Sequence, residues 1–151
     1  MPNWITITIT DLYDAKAAAL VEAADSTQLG PGQTSRTAQV MTDITNEIRA
    51  KCARAYTLDL DATAIPASLK NKAVDMIIAR LKVALEQELT DAEQKNLDRI
   101  ERALNRIADG KDLIEPPDNP MPAPMSQAVA QPNTGWPKLR DFRMGREDGI
   151  V

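Results

Sequence analysis

Apolar residues follow two different periods along this chain. Residues 4–10 read Trp-Ile-Thr-Ile-Thr-Ile-Thr, which alternates apolar and polar side chains and is rich in β-branched residues. That alternation predicts an extended strand. From residue 11 to 110 the apolar residues recur at steps of three and four, which is the spacing of one helix face. The pattern predicts an all-α fold, a small antiparallel bundle of about four helices behind a short extended segment at residues 1–10.

Local signals set the expected helix limits at 11–24, 37–55, 66–87 and 91–109. Pro66 suits a first helical turn, and Thr90 with Glu93 forms a capping box. Gly110 is expected to end the last helix in a left-handed conformation. The shared helical spacing assigns these core residues: Ile44, Ile48, Leu69, Met76, Ile77, Leu97, Ile100, Leu104 and Ile107.

The N-terminal segment is a single predicted strand, and a lone strand has unpaired backbone groups at both edges. It either lies along the helices of its own chain or pairs with another chain. In the second case the contacts with a neighbouring subunit would be made by Trp4, Ile5, Ile7 and Ile9.

The composition changes after the bundle expected at residues 11–110. Residues 115–125 read Glu-Pro-Pro-Asp-Asn-Pro-Met-Pro-Ala-Pro-Met, and each proline removes an amide donor and fixes φ. We therefore expect a proline-rich, extended linker at 111–132, disordered on its own from residue 115. Residues 133–151 contain apolar and basic side chains again, a mixture typical of segments that gain order on a partner. The alternative is that this tail folds back on its own bundle. The candidate partner-binding residues are Trp136, Leu139, Arg140, Phe142, Arg143, Met144, Arg146 and Ile150.

The amino-acid composition restricts the catalytic and metal-binding chemistry that this chain could perform. The 151 residues carry a net charge of -4 and include no histidine, which removes the commonest general base and the usual zinc ligand. Cys52 lies on an apolar helix face and is interpreted as a buried structural thiol. Asp59 and Asp61 are expected to be solvated or capping groups, with a metal site as the minor alternative. We expect no enzyme, no cofactor and no metal.

Basic side chains cluster late in the second predicted helix and along the third: Arg49, Lys51, Arg54, Lys70, Lys72, Arg80 and Lys82. They are interpreted as solvated groups that complement helix dipoles, with binding of phosphate or of an acidic partner as the alternative. The acidic pI of about 4.9 gives no overall attraction for nucleic acid. No apolar run reaches the roughly 20 residues of a membrane span, and no signal peptide is visible. The single cysteine suits a reducing cytoplasm.

From Glu47 to Leu113 the layout resembles the small helical head–tail connector proteins of tailed phages, of the Mu-like prophage type. The resemblance is carried by an E-I helix, a connector, a proline-started helix and a closing A-x-G-K-x-x-L-like segment. Asp59 stands where the family often has proline, and the opening Ile9–Leu12 also resembles the family pattern. The corresponding residues here are Glu47-Ile48, Tyr56-Thr-Leu58-Asp-Leu60, Pro66-Ala-Ser-Leu69, Ala73-Val-Asp75, Arg102-Ala103-Leu104 and Ile107-Ala-Asp-Gly110-Lys-Asp-Leu113.

The resemblance implies a virion protein of the phage neck, at the head–tail interface, that is made in the cytoplasm of the host. It would form a ring of about twelve subunits below the portal protein and join the portal to the next tail or stopper protein. Double-stranded DNA would pass through the channel without specific binding, and no membrane is involved. The alternative function is a DNA-binding packaging or regulatory subunit, similar to a small terminase. The long segments between the first three predicted helices disfavour a compact helix-turn-helix unit.

Overall fold

Five α-helices dominate the part of the chain that the structure describes. The computed structural model describes residues 1–26, 31–32 and 35–123. Residues 1–121 form one compact unit. The predicted fold class, a small helical bundle with a short extended N-terminal segment, is confirmed. The elements are β1 Trp4–Thr6, α1 Ile9–Asp14, α2 Ala18–Ser26, α3 Arg36–Cys52, β2 Ala64–Pro66, a 3₁₀ turn Ala67–Leu69, α4 Lys70–Ala84 and α5 Asp91–Ala108.

Helix α3 is at the centre of the core and packs against α2, α4 and α5. Most of the predicted core is buried: Ile44, Ile48, Leu69, Ile77, Ile100, Leu104 and Ile107. Met76 and Leu97 are only half-buried, which corrects their assignment as full core residues. Their spacing places them on the apolar face, but they lie at its edge.

Both predicted cap signals of the last helix are confirmed. The Thr90 side chain accepts from the Glu93 amide at 3.3 Å, and the Glu93 carboxylate accepts from the Thr90 amide at 2.9 Å. Gly110 has a φ of +74°, as the left-handed end of a helix requires. Helix α5 therefore begins and ends close to the predicted residues.

The first predicted helix is two helices in the structure. Lys16 adopts a φ of +59°, and the Ala17 amide donates to the Leu12 carbonyl at 3.0 Å, which ends α1 and redirects the chain. This break allows Leu12 and Val21 to point into the same core. The prediction of one continuous helix at 11–24 is therefore wrong.

The third predicted helix starts later and ends earlier than expected. Pro66 belongs to β2, and the Ala67 amide donates to the Asn3 carbonyl at 2.8 Å, so strand pairing takes the place of a first helical turn. Helix α4 begins at Lys70 and stops at Ala84, just before Glu86 turns to a φ of +58°. The predicted limits of 66–87 are too wide at both ends.

The N-terminal strand pairs within its own chain. β1 and β2 are antiparallel, with Trp4 opposite Pro66, Ile5 opposite Ile65, and Thr6 opposite Ala64. Trp4 is only 4% exposed and Ile7 is buried as well, so both side chains pack mainly inside the subunit, and a role for these residues between subunits stays a prediction. Ile5 is half-buried, and Ile9 remains exposed.

Candidate interaction site

Arg49 organises the junction between the helices and the two-stranded sheet. Helix α3 directs this side chain inward, and it is 8% exposed. Its Nη1 donates to the carbonyls of Asp61 (2.8 Å) and Ala64 (2.6 Å), and its Nη2 donates to the Asp59 carbonyl at 2.8 Å. The guanidinium carbon lies 5.7 Å from the centre of the Trp4 ring, within the range of a cation–π contact. The buried Arg49 side chain therefore contacts two segments. One is the N-terminal strand, and the other is the segment at residues 56–66 that follows α3, which we call the connector.

Asp59 and Asp61 act as hydrogen-bond acceptors for the backbone around them. Asp59 is 5% exposed, and its carboxylate accepts from the amides of Asn119 (2.8 Å) and Asp61 (2.9 Å). These bonds hold the pKa of Asp59 below its ordinary value. The Asp61 carboxylate accepts from the amide and hydroxyl of Thr63, and its pKa is lowered by those bonds. Both carboxylates therefore stabilise turns.

Residues 112–121, which we call the strap, lie against the sheet. Trp4 Nε1 donates to the Glu115 carbonyl at 2.9 Å, and the Trp4 amide donates to the Asp118 carboxylate at 2.9 Å. The Glu115 carboxylate accepts from the amide and hydroxyl of Ser68 at 3.1 and 2.8 Å. The strap therefore covers part of the outer edge of β1.

The far end of the strap pairs with the connector. The Leu60 amide donates to the Asn119 carbonyl at 2.7 Å, and the Met121 amide donates to the Leu58 carbonyl at 2.8 Å. At its near end, the Tyr56 hydroxyl donates to the Asp112 carbonyl at 2.7 Å.

The strap corrects the expectation that a proline-rich linker begins at 111 and is disordered from 115. Residues up to 121 belong to the body, because their backbone groups find partners on β1 and the connector. Residues 124–132 of the expected linker and the whole predicted docking tail at 133–151 lie outside the described residues. So do the eight candidate partner-binding residues: Trp136, Leu139, Arg140, Phe142, Arg143, Met144, Arg146 and Ile150.

An apolar groove of about 390 Å³ opens beside the N-terminal strand. We call it the strand-side groove. It is lined by residues 6–9, by one face of α3, and by Ala62 and Thr63; the α3 residues are Ala38, Met41, Thr42, Thr45 and Asn46. These lining residues are all uncharged, in a chain of which 26% is charged. Depletion of charge is a property of interface cores.

A second depression lies where α3, α4 and α5 diverge, and its lining combines apolar side chains with the charged residues Glu47, Lys51, Arg80 and Glu101. It consists of two neighbouring pockets of about 220 Å³ each, which share Met76 and Leu97. We call it the helix-side groove. Val83, at the C-terminal end of α4, lines it and is 59% exposed. The half-burial of Met76 and Leu97 is explained by this groove.

The structure also shows the surroundings of Cys52 and of the basic side chains that the sequence analysis singled out. Burial raises the pKa of the Cys52 thiol to about 11 despite the nearby charge of Arg49, so the thiol is protonated at neutral pH. Several of the basic side chains pair with groups of the same chain: Lys51 with Asn105, Lys70 with Asp11, Arg80 with Glu47 and Lys82 with Glu93. These lysines and arginines are dispersed among acceptors and form no uniform basic stripe.

Among residues 1–26, 31–32 and 35–123, no group of three or more acidic, cysteine or histidine side chains is arranged to hold a metal ion. No helix in this part of the chain is long and apolar enough to cross a membrane. Comparisons of the chain with protein-family models, with curated proteins and with solved structures give no significant match.

Arg49 and the strap are the features that local sequence reasoning missed. Arg49 was grouped with exposed basic residues, although it directly follows Ile48 and lies one helical turn from Cys52, both on the buried face. That position next to the apolar stripe was the available signal. The sequence signal for the strap was weaker: the apolar residues Leu113 and Ile114 stand just before the prolines. In the structure Ile114 packs against the core.

Proposed function

We propose that this protein is a structural subunit of a tailed-phage neck, a head–tail connector that assembles as a ring below the portal. In this proposal it joins the portal to the next tail or stopper protein, and DNA passes through the bore. The residues that resemble the connector family supply one support. The body supplies another, because its described residues form two grooves with apolar lining that neighbouring subunits could occupy.

The observation that carries the proposal is the convergence of the family-like segments. The connector at Tyr56 and the closing segment at Asp112 are 56 positions apart, yet the Tyr56 hydroxyl donates to the Asp112 carbonyl. Gly110 closes α5 beside Ala55, where an added Cβ would lie 3.7 Å from the alanine side chain. The two family-like segments therefore contact each other in the fold. If each short pattern matched the family by chance, there would be no reason to expect such a contact.

The tail is proposed to dock on the portal. Trp136 and Phe142 would bury aromatic surface, and Arg140, Arg143 and Arg146 would pair with carboxylates around the docking groove. The residues between the strap and the tail would act as a tether.

The test is retention of the full-length chain on purified portal protein from the same phage genome. We expect Trp136→Ala with Phe142→Ala, or deletion of residues 133–151, to abolish retention while the melting temperature stays unchanged. Met125→Ala, in the linker outside the predicted docking residues, is the matched control and should bind normally. Normal binding by the deletion variant would refute tail docking. A lower melting temperature would support the alternative that the tail folds back on its own bundle.

The DNA-binding alternative predicts a different result. A packaging or regulatory subunit would retard duplex DNA in a low-salt gel shift, and the retardation would fall steeply with added salt. The pairing of Lys70, Arg80 and Lys82 with carboxylates of the same chain disfavours this function.

A further inference from the structure

We propose that the strap and the N-terminal strand β1 open and close as one unit while the helices stay folded. We call this unit the latch. Its opening frees the strap together with residues 1–6, so the attachment of the first residues depends on the segment that follows α5. The inference concerns contacts within the body of the chain and does not rest on the proposed function.

Trp4 is buried, but it lies outside the aliphatic core. Its side chain is only 4% exposed, whereas the continuous cluster of buried core residues begins along the chain at Ile7. The contacts of the indole are with the strap, where Nε1 donates to the Glu115 carbonyl, and with the Arg49 guanidinium over its ring. The burial of Trp4 therefore depends on the strap being in place.

The contacts around Trp4 form a closed path that begins and ends on the strap. The Asp118 carboxylate of the strap accepts from the Trp4 amide. Arg49, which lies over the Trp4 ring, donates to the Asp59 carbonyl of the connector. The Asp59 carboxylate accepts from the Asn119 amide, which returns the path to the strap. In such a network each contact supports the others, so the loss of one weakens all of them.

The pairing of β1 with β2 is too short to hold the strand by itself. It extends only from Trp4 opposite Pro66 to Thr6 opposite Ala64. An isolated two-stranded pairing is at best marginally stable in water. When the strap leaves, Trp4 loses the acceptors of both its indole and its amide. Strand β1 should therefore leave with the strap.

Core side chains set the limits of the latch. Ile7 belongs to the core cluster, and Ile114 packs against the same cluster. Residues 118–121 are exposed and are held by hydrogen bonds. The moving parts are thus residues 1–6 and 115–121. A partner that binds the chain after residue 121 and draws the strap away would therefore also free the N-terminal strand.

Amide hydrogen exchange of the full-length chain, followed by NMR, tests the coupling. The Leu60 amide donates to the Asn119 carbonyl and reports on the strap, and the Ala67 amide donates to the Asn3 carbonyl and reports on the strand. In the wild-type chain these two amides should have equal protection factors. Both should exchange faster than the Ile100 amide of α5, because local opening needs less free energy than unfolding of the helices.

Met121→Pro perturbs the strap at the end that pairs with the connector, because it removes the hydrogen bond from the Met121 amide to the Leu58 carbonyl. Loss of one hydrogen bond should accelerate exchange at Leu60 and at Ala67 by the same factor, roughly threefold to tenfold, and leave α5 unchanged. Ala123→Pro is the matched control, because Ala123 is exposed and lies just beyond the strap. It should exchange like the wild-type chain.

The reciprocal variant is Ile5→Gly, which weakens β1 itself. Coupling between two sites acts in both directions, so this change should accelerate exchange at Leu60 as well as at Ala67. A variant whose effect stays on its own side of the latch would show that strap and strand open separately, and would overturn the inference. Equal acceleration in α5 would overturn it too, since the helices would then unfold with the latch. Unchanged exchange at Leu60 in both variants has the same consequence.

Discussion

The core of α3, α4 and α5 and the strap at 112–121 are held to the body in different ways. The core buries aliphatic side chains such as Ile44, Ile77 and Leu104 almost completely. The strap keeps most of its side chains exposed and attaches through hydrogen bonds from and to the backbone. Regions with few buried apolar contacts open at lower free energy than the core does. The strap should therefore detach locally while the helices stay folded.

Removing core volume should have the largest effect. We expect Leu104→Ala and Ile77→Ala each to lower the free energy of unfolding by about 2–5 kcal/mol, since both side chains are buried and leave a cavity. Chemical denaturation measures the loss. Arg102→Ala, exposed on α5, is the control and should change stability by less than about 0.5 kcal/mol. A similarly small change in both core variants would contradict the assigned core.

Arg49 joins the two regions, so its removal should have an intermediate effect on global stability and a large one on the sheet. Arg49→Ala removes the charged donor from three carbonyls, two of them in buried hydrogen bonds, and we expect a loss of about 3 kcal/mol. Arg49→Lys should recover only part of it, because an ammonium lacks the planar fork of a guanidinium. Arg54→Ala, an exposed arginine on the turn after α3, is the control. Full recovery by lysine would contradict the geometric role.

The smallest effect is expected on acidification. Because backbone hydrogen bonds lower the pKa of Asp59, its contribution is complete above the ordinary aspartate pKa of about 4 and is lost as pH falls through the lowered value. NMR signals of the Asn119 and Asp61 amides should shift over that acid range before those of α5 lose their folded positions. Asp59→Asn should remove this titration. Simultaneous loss of strap and helix signals would show that the two regions do not separate.

Helical spacing predicted most of the core because burial in a bundle follows a local period. The cap at Thr90 and the stop at Gly110 were also predictable, since each depends on residues within one turn. The depth to which each apolar residue is buried could not be predicted. Met76 and Leu97 have the spacing of core residues, but they line a groove whose existence depends on how three helices pack. The break at Lys16 could not be predicted either, because it depends on tertiary packing: only with this break do Leu12 and Val21 both lie in the same core.

The strap could not be predicted for a related reason. Its prolines favour an extended backbone, which is correct, but its partners on Trp4 and Leu60 are distant in sequence. Whether an extended segment is a tether or an attached strand depends on such partners. The predicted roles of Trp136 and the other tail residues stay predictions, because they lie outside the described part of the chain.

The position of the strap has a consequence for the order of folding during synthesis. The indole and the amide of Trp4 are hydrogen-bonded to residues 111 and 114 positions later in the chain. Contacts of such separation form late, since nearly the whole body must be made before both partners exist. Until then the first strand leaves the ribosome with Trp4 uncovered at this edge. A segment translated before the rest of the body is thus among the last parts of the body to be completed, and the nascent chain is most prone to self-association in that interval.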